Sequence, residues 1–498
     1  MGKGLLFAIL VLIFVVASCA QPPAEAPPSG VPRVKPTGPE PTETSLAAET
    51  TTPTRTPVFI PTPATTPAPT PTPAPELPPR LAWDFYPDGL TRDDMLARLP
   101  NAVGKTGEIE GDETWSGTIH VTGDVLVHPG ATLTIQPGTL VLMAARSDDQ
   151  HAGSMGDIDL FNPKDPPYDG KNRTSFRISG TLLINGTKEE PVIITSDAAN
   201  PRNDDWGNML LNPEPGSRVE ITRAIIEFTE VLGVGSSNVV ICKSILRNMM
   251  QCVVIGSISP DTDPETALDL TPTLTQNYIY NGGRHMVTVR SGAPIISHNV
   301  IMARPDMDTT GWEHGPLGLD FPSCAVIHHN YLDAGQPRPY GGEIFGEYYE
   351  FTQPHGFVMA GICPFTFEYN TVIGSPLAII GHAGPWSLQH NNIIPVPATG
   401  AAAQSPYGHG WNSKMTSIFA YDHRPEPSDQ WQFTFLEQMG GVPLMEVFSA
   451  PYNYWGTADI REIESQLRVG DGCLRIEYQP FETEFIIEAL PDWHEFEW

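Results

Sequence analysis

Apolar and polar side chains alternate along this chain in very short stretches, each of which ends at a turn. Between Ile119 and Leu142 the apolar residues come in pairs one position apart, and Thr-Gly-Asp, His-Pro-Gly and Gln-Pro-Gly separate these pairs. A two-residue period is typical of a strand with one buried face, whereas Pro-Gly ends a strand. The pattern therefore predicts brief strands joined by sharp turns.

This unit repeats along the chain at a short spacing. Windows with an apolar residue, two variable positions, a central residue, one variable position and another apolar residue have their centres at 224, 244, 277, 299, 330, 370 and 391. The shortest spacings between centres are 20 to 22 residues, and the longer ones contain an insertion. A period of this size predicts an all-β solenoid, in which three short strands make one coil of a parallel β-helix.

The last five windows have Asn at their centre, which predicts a structural ladder of Asn277, Asn299, Asn330, Asn370 and Asn391. Asn tolerates a left-handed backbone, and its amide can bond the coils on either side. Repetition at every coil is what a structural role predicts, so we assign these residues no catalytic role.

Several longer stretches carry a family resemblance. They are TGDVLVHPGATLTIQPGT, ISGTLLINGTKEEPVIITSD, DDWGNM, the asparagine windows and APYNYWGT, within roughly 115–456. In them the chain resembles the right-handed parallel β-helix proteins of the pectin-lyase-like superfamily, and among these the exported lipoproteins of bacteria. The resemblance implies a right-handed solenoid with short capping helices and long lateral loops. It implies little about function, because the superfamily includes lyases, hydrolases and adhesins.

The first residues predict export. Lys3 precedes an apolar run from Leu5 to Ala17 that is too short to span a bilayer but suits a signal peptide. The tetrapeptide that ends at Cys19 resembles a bacterial lipobox, although an ordinary secretory signal with an incidental Cys is an alternative. We predict a signal peptide and lipobox over 1–19, with a lipid on Cys19 holding the protein to the membrane, facing outward.

The remaining boundaries follow from composition and helix signals. Residues 20–80 are rich in Pro and Thr and predict a disordered linker. The β-helix is predicted over 81–456, with a capping helix that begins after Thr91 and seals the first coil. Residues 457–498 are predicted to cap the last coil, with a helix that begins after Thr457 and a strand-like segment thereafter.

Charge and cysteine content restrict the partners. The formal net charge of −30 argues against nucleic acid as a partner. Besides Cys19 the chain has five cysteines, and an odd number leaves at least one of them without a disulfide partner. The other four can be buried free thiols as well as disulfides. The oligomeric state does not follow from these features.

Three insertions, at 303–316, 334–356 and 395–450, follow the strand after the asparagine turn and are expected on one side of the solenoid. Their aromatic residues suit sugar binding, although they equally suit the core of a subdomain. The candidate ligand-binding residues are Trp312, Tyr340, Tyr348, Trp411 and Trp431.

Catalytic and metal-binding signals are weak. Asp306, Asp308, Glu313 and Asp320 are candidate catalytic carboxylates, but solvated loop acids explain them too. No lyase signature surrounds the arginines of this region. Calcium is the candidate cofactor, at Asp157, Asp159 and Asp165, although these lack the spacing of a defined calcium loop and no cofactor is required.

Histidines recur beside the asparagines, at His298, His328, His329 and His390. Stacked imidazoles can bind a metal or a ligand, but solenoid stacking by itself explains their recurrence. Two functions therefore compete. We favour a lipid-anchored, non-enzymatic surface module that binds carbohydrate or another extracellular partner; the alternative is a polysaccharide lyase or glycoside hydrolase.

Overall fold

The protein is an all-β solenoid of stacked coils. The computed structural model describes residues 76–82, 84–148, 173–256, 269–282, 285–303, 315–319, 323–333, 340–344, 347–351, 357–361, 366–374, 377–381, 387–395, 418–421, 447–469 and 475–493. Successive strands pair in parallel with their counterparts in the neighbouring coils, so the predicted parallel β-helix is confirmed. One strand from each of three faces makes a coil.

The first face is a 10-stranded parallel sheet. Its strands are β2 (Glu113–Trp115), β4 (Thr132–Ile135), β7 (Thr181–Asn185), β10 (Val219–Thr222), β13 (Val239–Cys242), β16 (Thr273–Thr275), β19 (Ile295–Ser297), β22 (Val326–His328), β27 (Thr366–Glu368) and β30 (Ser387–Gln389).

Two long strands, β1 (Val103–Ile109) and β3 (Thr118–Val127), begin the other two faces. The second face continues with β5 (Leu140–Met143), β8 (Val192–Ser196), β11 (Ala224–Glu227), β14 (Ile245–Arg247), β17 (Tyr278–Tyr280), β20 (Val300–Met302), β23 (Tyr331–Asp333), β28 (Thr371–Ile373) and β31 (Asn392–Ile394). The third face continues with β6 (Phe176–Ile178), β9 (Met209–Leu211), β12 (Val231–Val234), β15 (Gln251–Ile255), β18 (Val287–Val289), β21 (Leu317–Leu319), β26 (Phe357–Gly361), β29 (Leu377–Gly381), β32 (Ile418–Tyr421) and β34 (Leu467–Val469).

Few elements lie outside this pattern in the described parts of the chain. Strands β24 (Tyr340–Ile344) and β25 (Glu347–Phe351) form an antiparallel hairpin, and β33 (Val447–Ser449) pairs in parallel with β35 (Arg475–Glu477). Two short α-helices, α1 (Arg92–Leu96) and α2 (Ile460–Gln466), flank the solenoid in sequence, with 3-10 helices at Pro87–Gly89, Leu99–Asn101 and Ile487–Ala489. None of the described helices is long and apolar enough to cross a membrane.

Aligned aliphatic columns form the interior. On the first face Ile221, Ile241, Leu274, Ile296 and Ile327 occupy equivalent positions in successive coils, and the solvent-exposed fraction of each is at most 2%. Each such side chain stabilises the fold by about 1.5–3 kcal/mol relative to an exposed one. The Pro-Gly pairs at 129–130 and 137–138 lie between β3 and β4 and between β4 and β5, so they are corners of coils, as the sequence pattern predicts.

The outside of the second face is covered by the N-terminal segment, defined here as 76–101. Arg80 pairs with Asp333 of β23 at 2.5 Å. Further along, the hydroxyl of Tyr280 in β17 donates to the carbonyl of Ala82 at 3.1 Å. The segment therefore crosses the coils from β23 towards β3, where it enters the solenoid as β1.

Helix α1 has the predicted capping box, because the Thr91 side chain accepts from Asp94 N–H and the Asp94 side chain accepts from Thr91 N–H. However, Arg92 of this helix donates to Thr195 Oγ1 at 2.8 Å and to the carbonyl of Ala198 at 3.0 Å. The helix thus packs on the side of the solenoid, because apolar side chains of the second face offer a surface to cover there.

The C-terminal segment covers the remainder of the same face. Ile486 N–H donates to Asn392 Oδ1 at 2.8 Å, and Thr371 Oγ1 donates to the carbonyl of Ala489 at 3.0 Å. The N-cap of α2 is Asp459 rather than the predicted Thr457, since its carboxylate accepts from Arg461 N–H. Only Arg475–Glu477 is a strand among the described residues of the predicted strand-like segment.

A buried ion pair lies between the second face and the N-terminal segment. Arg247 Nε is 2.8 Å from Glu227 Oε2, and both side chains are fully buried. The Tyr86 hydroxyl donates to Glu227, and the guanidinium of Arg247 lies 4.7 Å from the centre of the Tyr86 ring. Thr195 Oγ1 donates to Glu227 Oε1 at 2.6 Å, while Arg247 Nη1 is 2.9 Å from the Tyr280 hydroxyl. The cluster ties four successive coils to the segment that covers them.

The free cysteines differ in burial. Cys252 is fully buried, and this burial raises its pKa to about 12, whereas Cys242 is half-buried on the first face. Cys324 is disulfide-bonded. We expect iodoacetamide to label Cys242 and not Cys252 in the native protein, because only an accessible thiolate reacts readily. Peptide mass mapping checks this result, and labelling in urea should reach both. Equal native labelling would contradict the packing.

Candidate functional site

The turn between the first and second faces has a left-handed residue in successive coils. The residues with positive φ here include Gln276, His298, His329, Tyr369, His390 and Tyr452, at 54° to 58°. Our expectation that Asn itself adopts this conformation was wrong. The preceding residue takes the left-handed backbone and carries its side chain outward, while the Asn side chain points inward.

The five asparagines lie on a continuous ladder of hydrogen bonds. Asn299 illustrates the unit: its Oδ1 accepts from the backbone N–H of Asn277 at 3.0 Å, and its Nδ2 donates to Asn330 Oδ1 at 3.0 Å. The same Nδ2 donates to the carbonyl of Leu274 at 2.8 Å. All five side chains are fully buried. Asn453 extends the ladder beyond Asn391, and its window, Ala450 to Trp455, has the same apolar frame.

The outward side chains at the turn form a ring column, which consists of His298, His329, Tyr369, His390 and Tyr452. Successive ring centres are 4.9, 5.2, 5.0 and 5.4 Å apart, with interplanar angles between 13° and 18°. The spacing follows from the separation of hydrogen-bonded strands, about 4.8 Å. Because the ring faces cover one another, the edges with their nitrogen and hydroxyl groups are the parts available to a ligand.

A histidine trio lies at one end of this column. His328 is the last residue of β22, and its ring is perpendicular to those of His298 and His329. His328 Nδ1 lies 3.0 Å from His329 Nδ1. One nitrogen from each of the three rings can be chosen so that all lie within 4.8 Å of one another. The three side chains are partly buried, so solvent reaches the cluster.

The surroundings keep the imidazoles of His328 and His329 neutral. Burial, followed by the charges of His298 and His328, lowers the pKa of His329 to about 4. Burial and His298 also lower the pKa of His328, and the opposing influence of Glu368 does not reverse this. At neutral pH each of these rings therefore offers one N–H donor and one acceptor nitrogen.

A polar row runs beside the ring column on the first face. Ser297, His328, Glu368 and Gln389 are register partners in successive coils. Gln389 Nε2 donates to Glu368 Oε1 at 2.8 Å, and the Ser387 hydroxyl donates to the same oxygen. The row therefore presents a fixed carboxylate and amide next to the stacked rings.

The predicted ligand and catalytic positions are largely outside the described residues. The predicted positions that lie outside the described residues are Asp157, Asp159, Asp165, Asp306, Asp308, Trp312, Glu313, Asp320, Trp411 and Trp431, together with Cys19. Tyr340 and Tyr348 lie in the two strands of the β24–β25 hairpin, where the register pairs Tyr340 with Phe351 and Tyr348 with Glu343. This hairpin falls between β23 and β26, and 304–314 falls between β20 and β21, so both connect the second face to the third.

The structure and the family comparison together define the class of protein. The fold is that of an all-β, parallel β-helix protein. Residues 107–214 match the family model described as a pectate-lyase-like β-helix domain, so this part of the chain is similar to that family. A comparison with curated proteins found no match, and a comparison with solved structures found none either.

Proposed function

We propose that the protein is an exported, lipid-anchored surface module that binds a linear polysaccharide along the ring column. The observation that carries the proposal is the column itself, since successive rings stack at 4.9 to 5.4 Å. A polymer that lies along the solenoid axis can meet an equivalent group at each coil. Rigid spacing of this kind lowers the entropic cost of binding a repetitive ligand.

The chemistry of the column suits hydroxyl groups. The edges of His329, Tyr369 and His390 carry groups that form hydrogen bonds, and the neutral imidazole of His329 supplies one donor and one acceptor. Glu368, in the adjacent polar row, adds a carboxylate acceptor. Sugar hydroxyls both donate and accept hydrogen bonds, so mixed groups of this kind serve them better than a row of like charges.

The proposed location follows from the N-terminal sequence. A lipid on Cys19 would hold the protein to the membrane, and the Pro-rich residues that follow it would serve as a stiff tether. The N-terminal segment begins on the solenoid wall, where Arg80 contacts Asp333. The ring column would then be presented outside the cell.

The family match supports a second candidate function. A pectate-lyase-like domain over 107–214 allows a polysaccharide lyase or hydrolase, in which Asp306, Asp308, Glu313 or Asp320 would act on a bound glycan. The two candidates share a ligand class and differ in whether the bound glycan is cleaved.

We expect the full chain, solubilised in detergent, to bind at least one polysaccharide on a glycan array without altering it. Tyr369→Asn should weaken that binding at least tenfold, since it removes the middle ring while Asn tolerates the positive φ. His128→Asn is the matched control, because His128 is partly exposed on an early coil outside the column.

Titration of the array hit and mass analysis of the recovered glycan test these expectations. Shortened or unsaturated fragments would show that the glycan is cleaved, which would reject the non-enzymatic binding module in favour of a polysaccharide hydrolase or lyase. If the Tyr369→Asn variant and the wild type bound the glycan with equal affinity, the proposal that the ring column is the binding surface would be wrong.

A further inference from the structure

We propose that His298, His328 and His329 form a binding site for a divalent transition-metal ion. We take Zn²⁺ as the representative ion. The proposal is independent of carbohydrate binding, because it rests on the histidine trio and not on the whole column. It also differs from the calcium site expected in the sequence, which would use carboxylates elsewhere.

The separations within the trio suit a single ion. A tetrahedral Zn²⁺ with metal–nitrogen bonds of about 2.0–2.1 Å holds its ligand nitrogens roughly 3.4 Å apart. His328 Nδ1 and His329 Nδ1 are 3.0 Å apart, and suitable nitrogens of all three rings lie within 4.8 Å. The rings of His298 and His329 are stacked at 18°, so their side chains would rotate to direct one nitrogen each at the same ion. The separations between the nitrogens require no change in the backbone.

The backbone under the trio is fixed by the asparagine ladder. His298 N–H donates to the carbonyl of His328 at 3.1 Å, which joins the two coils directly. Asn330 Nδ2 donates to the same carbonyl at 3.1 Å. Asn299, which follows His298, is bonded to Asn330 in turn. The ligands lie on two adjacent coils whose backbones are bonded to each other, so little backbone freedom is lost when they bind an ion, which favours affinity.

The donor type selects the metal. Neutral imidazole suits Zn²⁺, Cu²⁺ and Ni²⁺, whereas Ca²⁺ and Mg²⁺ require oxygen ligands. Three protein ligands leave a fourth position for water or for an oxygen of a bound molecule. Glu368 pairs in register with His328 in the next coil, so its carboxylate is placed to favour the positive charge of the ion.

His390 provides a matched control. It lies at the same turn position as His298 and His329, has the same left-handed backbone, and stacks between Tyr369 and Tyr452. It is not among the residues that come together as a possible metal site. Replacing it therefore perturbs the ring column to a similar extent without removing a proposed ligand.

The test is a titration of the full chain, purified without a polyhistidine tag, with ZnCl₂ against a chromophoric chelator. We expect one tight equivalent in the wild type, weakened at least tenfold by His298→Asn and by His329→Asn, and changed less than twofold by His390→Asn. Substitution with Co²⁺ should give the visible absorption of a tetrahedral site, which the His329→Asn variant loses.

Circular dichroism establishes that each variant is folded. The absence of a tight equivalent in the wild type would overturn the proposal, and so would equal losses in His390→Asn and His329→Asn. Because no glycan is present in this titration, its outcome is separate from that of the polysaccharide experiment.

Discussion

Arg247→Ala is expected to destabilise the protein by about 3–5 kcal/mol, because it leaves the carboxylate of Glu227 buried without its counter-charge. Both side chains are fully buried, and Arg247 Nε is 2.8 Å from Glu227 Oε2. The substitution also removes the cation that lies over the Tyr86 ring and the bond to Tyr280. The N-terminal segment should therefore loosen together with the coils beneath it.

Urea denaturation followed by circular dichroism measures the loss of stability. Arg218→Ala is the control, because Arg218 pairs with Glu220 at 2.6 Å on the exposed surface of the first face. Exposed pairs of this kind contribute about 0–1 kcal/mol. Replacing Glu227 and Arg247 together by Leu and Met should recover part of the loss. A similar loss in Arg218→Ala and Arg247→Ala would show that burial is not the cause.

The ion pair also shows where prediction from sequence ends. Glu227 and Arg247 are 20 residues apart, one coil, so the repeat could have placed them next to each other. Their burial depends on Tyr86, which is 141 residues from Glu227 in the chain. No periodic pattern connects 76–101 to the second face, because that segment packs on the solenoid without belonging to its repeat.

The solenoid itself was predictable because its evidence is local. Each window holds an inward aliphatic residue, a turn and the next inward residue, and the short spacing between windows equals one coil. Ser244 and Ala224 appeared in these windows without Asn, and the structure explains both: Ser244 Oγ accepts from Ala224 N–H at 3.1 Å, so the hydroxyl continues the ladder.

The candidate site was predictable only in part. The recurrence of histidine beside Asn was visible, but Tyr369 and Tyr452 occupy the same turn position and complete the column. A pattern restricted to histidine does not include Tyr369 and Tyr452. The position that precedes each asparagine of the ladder, with Asn453 included, contains all five rings. The perpendicular approach of His328 to its two neighbours depends on side-chain rotation, which spacing does not specify.

Asn330→Ala is expected to destabilise the protein by about 3–5 kcal/mol, since several buried groups lose their partner at once. Asn330 Oδ1 accepts from the backbone N–H of Asn299 at 2.9 Å and from its Nδ2 at 3.0 Å. Asn330 Nδ2 donates to the carbonyl of Ile296 at 2.8 Å and to Asn370 Oδ1 at 3.0 Å. In the Asn330→Ala variant these four groups would remain buried without those bonds.

A solenoid transmits such a defect only to neighbouring coils, because each coil contacts mainly its neighbours. Hydrogen exchange with mass spectrometry should therefore show faster exchange in β19, β22 and β27 and little change near β7. Ser244→Ala is the matched control, because it removes the acceptor of Ala224 N–H but keeps the backbone bond from Ser244 to Asn277. A cost of about 1 kcal/mol is expected there. If both substitutions had the same effect, the interior amides would contribute no more than the hydroxyl at the end of the ladder.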